Sequence, residues 1–379
     1  MNRIYLDYAA ATPVNPKVLQ AMTPYFSEIY YNPSALYEGA REAKSALEDA
    51  RARTARLLGA KPSEIIFTAG GTESTNLAIH GVMQSFPGAE IVDSAIEHDA
   101  VLKPAGNYKL NVATVDGSGR LDLESLKAQI TDKTVLISVM LANNEIGTIQ
   151  PIKDVVNLAS EIRKARREAK NNMPLYVHTD ACQAPLYLDV HVAKLGVDLM
   201  TLNGGKIYGP KQSGILYVKT GVRIKPLITG GGQEWGYRSG TENVAFAVGF
   251  ARALELSEKG RADRAKAMTE LRDYFMIELE TRFGAEITGH RTNRLAQNVH
   301  AVFPAIDNER VIFALDDAGV AVASGSACSA SSDTPSHVLL AIGKTVQEAR
   351  SSVRFSFGIS TTKEVLTETL DLLESALKA

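Results

Sequence analysis

Cysteine is almost missing from this chain: Cys182 and Cys328 are the only two in 379 residues, and they lie far apart. With no secretory context a structural disulfide is not expected, and each cysteine is read as a free thiol. No uninterrupted apolar run reaches the roughly 20 residues that a membrane-spanning helix needs, so no membrane contact is expected. The opening MNRIYLDYAAATPVNP lacks the apolar core of a secretory signal, which points to a cytoplasmic protein. Charge of one sign is missing too. With 41 basic and 43 acidic residues the net charge is −2, and no direct nucleic-acid partner is expected.

What is present is an ordinary globular balance, 45% apolar and 22% charged, over a length that favours two domains. Glu38 to Leu58 has the composition of a helix stopped by Gly59 and Pro62. From Glu64 onward, strand, polar turn and helix alternate. Strands are predicted at 64–68, 90–93, 112–115, 135–140, 175–179, 197–202 and 213–218, with a charged helix over 152–170. This alternation predicts an α/β fold with a mostly parallel sheet covered on both faces, and ligands at the carboxyl ends of its strands. Ala251 to Arg282 reads as one long helix. Strands at 298–303, 319–323 and 352–357, a helix at 308–317 and a last helix capped at Thr361 suggest an α+β unit packed on the first.

Polar clusters fall at the predicted strand ends. Lys206 sits on the turn Asn203-Gly204-Gly205 between two strands, read either as a solvated loop lysine or as a Schiff-base nucleophile. A phosphate-binding P-loop is excluded, because Ile207 stands where Ser or Thr is required. Gly70-Gly71-Thr72 joins a strand to a helix and can bind phosphate through exposed N–H groups. Asp180 ends the strand LYVHT and is either a helix cap or the partner of a ring nitrogen. His98 and the pair Asn143-Asn144 follow other strands. Cys328 lies among small polar residues that no core would select, as a mobile nucleophile would. Cys182 reads as packing. Arg354, inside a strand, needs an anion. Lysine, aspartate and phosphate turn together describe a pyridoxal 5'-phosphate site.

Over essentially its whole length the sequence resembles the cysteine desulfurases, the NifS/IscS-like branch of the class V aminotransferases. The stretches that carry this are YLDYAAATPV, FTAGGTESTNLAI, EHDAVL, NNEIGTIQPI, HTDACQA, KIYGPKQSGILYV, GGGQEWGYRSGT, SGSACSASSDTPSHVL and SSVRFSFG. The resemblance implies the PLP-dependent transferase fold type I. Residues 16–255 would form a large domain with a mainly parallel seven-stranded sheet. Residues 1–15 and 256–379 would form a small α+β domain carrying a cysteine loop at about 324–336. Lys206 would hold the cofactor, with Asp180 on the ring nitrogen, Gln183 on the ring oxygen and His98 stacked as acid–base. Gly71 and Thr72 would bind the phosphate, helped by Asn203 and by Thr241 of a second copy, which implies a homodimer. Asn144 and Arg354 would hold the carboxylate of L-cysteine, and Cys328 would take its sulfur as a persulfide, releasing alanine. Sulfur acceptors would be proteins such as an iron–sulfur cluster scaffold or a tRNA-thiolation protein. No metal is implied. The alternatives are a selenocysteine lyase and a class V aminotransferase.

The chain departs from the family's Ser-x-His-Lys at the lysine, having Asn203 and Gly205 instead. Weaker phosphate retention is expected, or compensation by Thr201, Asn203 or backbone N–H groups. Tyr37 replaces a histidine and Trp235 a basic residue. The chain stops soon after its last predicted helix, so the longer tail by which some relatives dock a cluster scaffold is expected to be absent.

Overall fold

In a computed structural model of the chain, residues 3–304, 306–325 and 334–378 are described. Their strands are β1 (Ile4–Tyr5), β2 (Ile65–Thr68), β3 (Glu90–Ser94), β4 (Lys109–Ala113), β5 (Thr134–Ser138), β6 (Tyr176–Asp180), β7 (Leu199–Asn203), β8 (Gly214–Val218), β9 (Glu286–Ile287), β10 (Asn298–Val302), β11 (Val320–Ala321) and β12 (Ser352–Ser356). Seven of them form one sheet in the order β2-β8-β7-β6-β5-β3-β4. Strands β7, β6, β5, β3 and β4 run parallel, as the alternating pattern predicts. β8 is antiparallel to both neighbours. The short turn from β7 to β8 cannot make the crossover that a parallel partner needs.

The strands are apolar on both faces because both faces are buried. Ile91, Leu136 and Leu199 enter one core cluster, while their chain neighbours Val92, Ile137 and Met200 enter another on the opposite side. The Gly71–Ser85 helix supplies Leu77, Ile79 and Val82 to the first. Buried polar residues interrupt this pattern, Asp93 among them. Asp93, in β3, is completely buried, and neither carboxyl oxygen finds a hydrogen-bond partner among the described residues. Burial pushes its carboxyl up to about 8. The folded protein therefore binds a proton here that the unfolded chain releases above about pH 4, so stability falls as pH rises from there toward 8. Asp93→Asn is expected to be more stable than the natural chain near pH 8. The advantage should shrink by about 1.4 kcal/mol per pH unit on acidification. Urea melts at pH 5 and pH 8 check this, and an equal difference at both contradicts it.

A second, three-stranded sheet (β12-β10-β9) carries the remainder. Phe275, on the Arg261–Phe283 helix, packs edge-on against Phe355 and Phe357 at 5.0 and 5.5 Å. Here two expectations are corrected. The helical stretch is two helices, Val244–Glu258 and Arg261–Phe283, separated at Gly260, whose φ of 68° is left-handed. The last helix spans Lys363–Lys378. Thr362 rather than Thr361 accepts from its first turn, through the Val365 N–H, while the Thr361 hydroxyl accepts from Gly358.

Two segments tie the parts together. The N-terminal stretch runs back over the far end of the chain: β1 pairs with β11, Ile4 opposite Val320, and Asp7 bridges to Ser356. The stretch between β8 and the Val244–Glu258 helix is anchored at Glu234. Its carboxylate takes both Nη atoms of Arg51, each at 2.8 Å, and the Phe67 N–H at 2.9 Å. Trp235 stacks on the same guanidinium, 4.3 Å from its ring centre.

Candidate active site

The carboxyl ends of β2, β3, β5, β6 and β7 meet one cavity of about 230 Å³, lined by residues from each. That is room for a single-ring ligand with its substituents.

Lys206 ends a short turn, Gly204–Lys206, that leaves β7. Asn203 sets the turn by accepting the Gly205 N–H on Oδ1, at 3.0 Å. Gly204 is required there, since a Cβ would come within 2.1 Å of the Ser213 hydroxyl. The Lys206 amine donates to the Ala9 and Ala10 carbonyls at 2.8 and 2.6 Å. Burial lowers its proton affinity below the ordinary lysine value, and the charge of Arg354 adds to this. It is a cavity amine, and the solvated-loop reading of Lys206 is set aside.

Asp180, the last residue of β6, faces the same space, and Oδ1 accepts the Cys182 N–H at 2.9 Å. Behind it lies a buried chain: Ser138 Oγ to His178 Nδ1 at 2.8 Å, His178 Nε2 to Thr201 Oγ1 at 3.0 Å, and Thr75 to Thr201 at 3.4 Å. Burial depresses His178 to about 4, so its ring is neutral. Thr201 is thus committed behind the sheet, and of the expected substitutes for the phosphate grip it is the one the structure removes. Asn203 is better placed. With Oδ1 on Gly205, its Nδ2 turns toward Gly71.

Gly71 and Thr72 open the Gly71–Ser85 helix, which Gly70 leaves without a side-chain cap. Its first N–H groups therefore face the cavity as an anion site. Cys182 lines the same wall, and a Cβ on Gly71 would come within 2.8 Å of its sulfur. Burial pushes the Cys182 thiol well up, which keeps it protonated and suits the packing role. His98 caps the Asp99–Ala105 helix. Its Nδ1 accepts the Ala100 N–H at 3.0 Å, so a neutral ring carries its proton on Nε2. Gln183 reaches the cavity while donating Nε2 to Ala9 at 3.1 Å.

Asn144 and Arg354 close the other side. Arg354 donates to the Asn144 carbonyl at 3.1 Å and to Asp7 Oδ1 at 2.7 Å. Sequence reasoning missed Asp7, which meets Arg354 from 347 positions away, and Ala9 and Ala10, whose carbonyls meet Lys206 and, at Ala9, Gln183. A lone carboxylate inside the apolar run Tyr5 to Ala10 was the available signal. Thr241 is exposed and does not line this cavity. Cys328 lies outside the described residues. After it, Ser336 donates to Glu145 Oε2 at 2.6 Å, and the His337 Nε2–H donates to the Glu97 carbonyl at 2.9 Å, next to His98. Among the described residues no group of three or more His, Cys, Asp or Glu is arranged to hold a metal, and no helix is long and apolar enough to cross a membrane.

A lysine and a carboxylate at adjacent strand ends, facing an uncapped helix N-terminus, are the architecture of a class of group-transfer enzymes. The chain belongs to the aminotransferase class-V family, whose pattern it matches over residues 4–368. It is 44% identical to the cysteine desulfurase IscS of Dictyoglomus turgidum over 99% of this chain and 94% of the relative. Among solved structures it is similar to a NifS-like protein, with TM-score 0.91, 35% identity and 99% of both chains covered. It is also similar to SspA in complex with cysteine, with TM-score 0.80, 34% identity, and 95% of this chain and all of that one covered. The fold is that of these enzymes, fold type I, as the sequence predicts.

Proposed function

We propose that this chain is a cysteine desulfurase that uses pyridoxal 5'-phosphate. The observation that carries the reading is the convergence of Lys206, Asp180, the Gly71-Thr72 helix start and Arg354 on one cavity. The names of the relatives, and the cysteine complex of a similar structure, support the substrate.

The residues fit the cofactor chemically. Lys206 is a buried amine of lowered basicity, as a carbonyl-reactive lysine must be. Asp180, held by one backbone N–H, keeps a carboxylate oxygen for a pyridinium. The uncapped helix start, Thr72 and the Asn203 amide offer donors to a phosphate. When bound, the cofactor supplies an electron sink for charge developing at the substrate's α-carbon. The chain's own residues do the rest. Arg354 and Asn144 bind the substrate carboxylate. Lys206 takes and returns the α-proton. His98 holds a proton on Nε2 at the cavity wall. The Cys328 thiolate attacks the substrate sulfur, so that an S–S bond forms as the C–S bond breaks. The electron pair stays on the substrate carbon, a proton completes alanine, and Cys328 is left as the persulfide.

In this reading residues 16–255 form the cofactor-binding unit. Residues 1–15 and 256–379 form the unit that carries the cysteine. A second copy adds Thr241, which its own cavity does not use, and the persulfide passes to an acceptor protein in the cytoplasm.

The test is to supply the purified protein with cofactor and L-cysteine and to measure alanine and protein-bound persulfide. The natural chain is expected to form both, and Cys328→Ser to lose alanine formation about a thousandfold or more. Keto-acid-dependent amino transfer that survives in Cys328→Ser would instead assign an aminotransferase.

A further inference from the structure

Arg354 heads the largest side chains that are completely buried among the described residues, yet it lines the cavity. Its guanidinium carries five N–H groups. One, on Nη1, goes to the Asn144 carbonyl, and one, on Nη2, goes to Asp7 Oδ1. Nε is buried without a partner. One N–H on each Nη atom is therefore left over, two donors in the guanidinium plane available to a carboxylate.

What fixes the plane of that pair is Asp7. Across the sheet, Arg354 lies opposite His300 in β10, and that ring is fully buried and neutral, so it offers no counter-charge. The Asn144 carbonyl is a single neutral acceptor. Asp7 is itself immobilised. Its carbonyl accepts the Tyr5 hydroxyl at 2.9 Å and the Ala10 N–H at 3.0 Å, and its backbone bridges to Ser356 on the arginine's own strand. A carboxylate locked to the backbone two residues from Arg354 neutralises the guanidinium and stops it turning. Without it, a buried charge would have one acceptor and freedom to rotate.

We propose that Asp7 is a positioning residue for substrate binding, presetting the Arg354 guanidinium as a two-point clamp for the α-carboxylate of the amino acid. The proposal rests on the reading that Arg354 grips that carboxylate. Its prediction is a split between binding and turnover: orienting the clamp holds substrate and product alike, and leaves proton and sulfur transfer unchanged.

The experiment uses cofactor-loaded enzyme. It measures KM and kcat for L-cysteine, together with calorimetric binding of L-alanine, which carries the carboxylate and no sulfur. Asp7→Ala is expected to raise KM about tenfold or more and to weaken alanine binding equally, with kcat within about twofold. Asp7→Asn keeps a neutral acceptor and is expected to lose about threefold in KM. Should Asp7→Ala fail to fold, the asparagine variant carries the test alone. In an Arg354→Ala background, Asp7→Asn or Asp7→Ala is expected to add nothing. Unchanged KM and alanine binding in the Asp7 variants, while Arg354→Ala weakens both, overturn the role of Asp7. So does an equal Asp7 effect with and without Arg354. An Arg354→Ala enzyme with natural KM overturns the carboxylate reading itself.

Discussion

Replacing Lys206 by alanine is expected to lower alanine formation from L-cysteine by about 10⁴-fold or more. The size follows from two roles meeting in one atom. In the proposed mechanism the amine is both the cavity's carbonyl-reactive group and the base that moves the α-proton. Nothing nearby takes its place: Lys211, the next lysine, is turned away with its amine on the Thr12 carbonyl at 3.1 Å. Lys206→Arg separates chemistry from architecture. It keeps a cation able to donate to the Ala9 and Ala10 carbonyls, so thermal stability is expected to stay near that of the natural chain while activity falls as far as in Lys206→Ala. Activity within tenfold of the natural chain in either variant would remove Lys206 from the mechanism. A large loss of stability in both would make it a structural residue instead.

The largest stability effect is expected at Glu234. Arg51 and Glu234 are both buried, paired at two points, and satisfied further by the Ile65 carbonyl and the Phe67 N–H. Glu234→Ala leaves the buried guanidinium with only the half-exposed Glu48 carboxylate, 3.5 Å from Nε, at a cost of about 3–5 kcal/mol. The local backbone adds to this. Glu234 and Trp235 have φ of 48° and 54°, a region that L residues occupy only when their contacts hold them there. Urea denaturation of Glu234→Ala measures the loss, and a change below 1 kcal/mol would contradict it. Trp235 is the only tryptophan in the chain, so its fluorescence reports this turn directly and should redden as the ring leaves the guanidinium. Arg238 on the same stretch pairs with Glu73 at 2.8 Å, in the first turn of the Gly71–Ser85 helix. Loosening Glu234 is therefore felt at the proposed phosphate site.

Much of this site was legible because its groups are local in sequence. Asp180, Asn203 and Lys206 each end or follow an apolar run. A polar residue at the close of a buried strand has few reasons to be there other than a cap or a ligand. The alternation that located them also gave the parallel sheet. The helix break at Gly260 was hidden for the opposite reason. Residues 244–258 are apolar almost all round, residues 261–283 are charged, and neither half shows the single stripe that marks a helix boundary. Arg354 was recognised as needing an anion, but the nearer anion is Asp7, 347 positions away. Contacts of that span leave no periodicity to read. Thr201 looked like a spare hydroxyl beside the lysine, and only the sheet register reveals that His178 on the adjacent strand has claimed it.

The pairing of β1 with β11 has a consequence for how the protein is made. The first dozen residues cap Lys206 and hold Arg354, yet the strand they dock on is more than 300 residues downstream. At about 5–20 residues per second, a ribosome needs roughly 15–60 s to deliver that partner. For that interval Ile4 to Ala10 is an unpaired segment on a nascent chain, and the last strand of the central sheet, ending at Val218, is made before β11 is. The candidate cavity is thus among the last parts of the molecule to close.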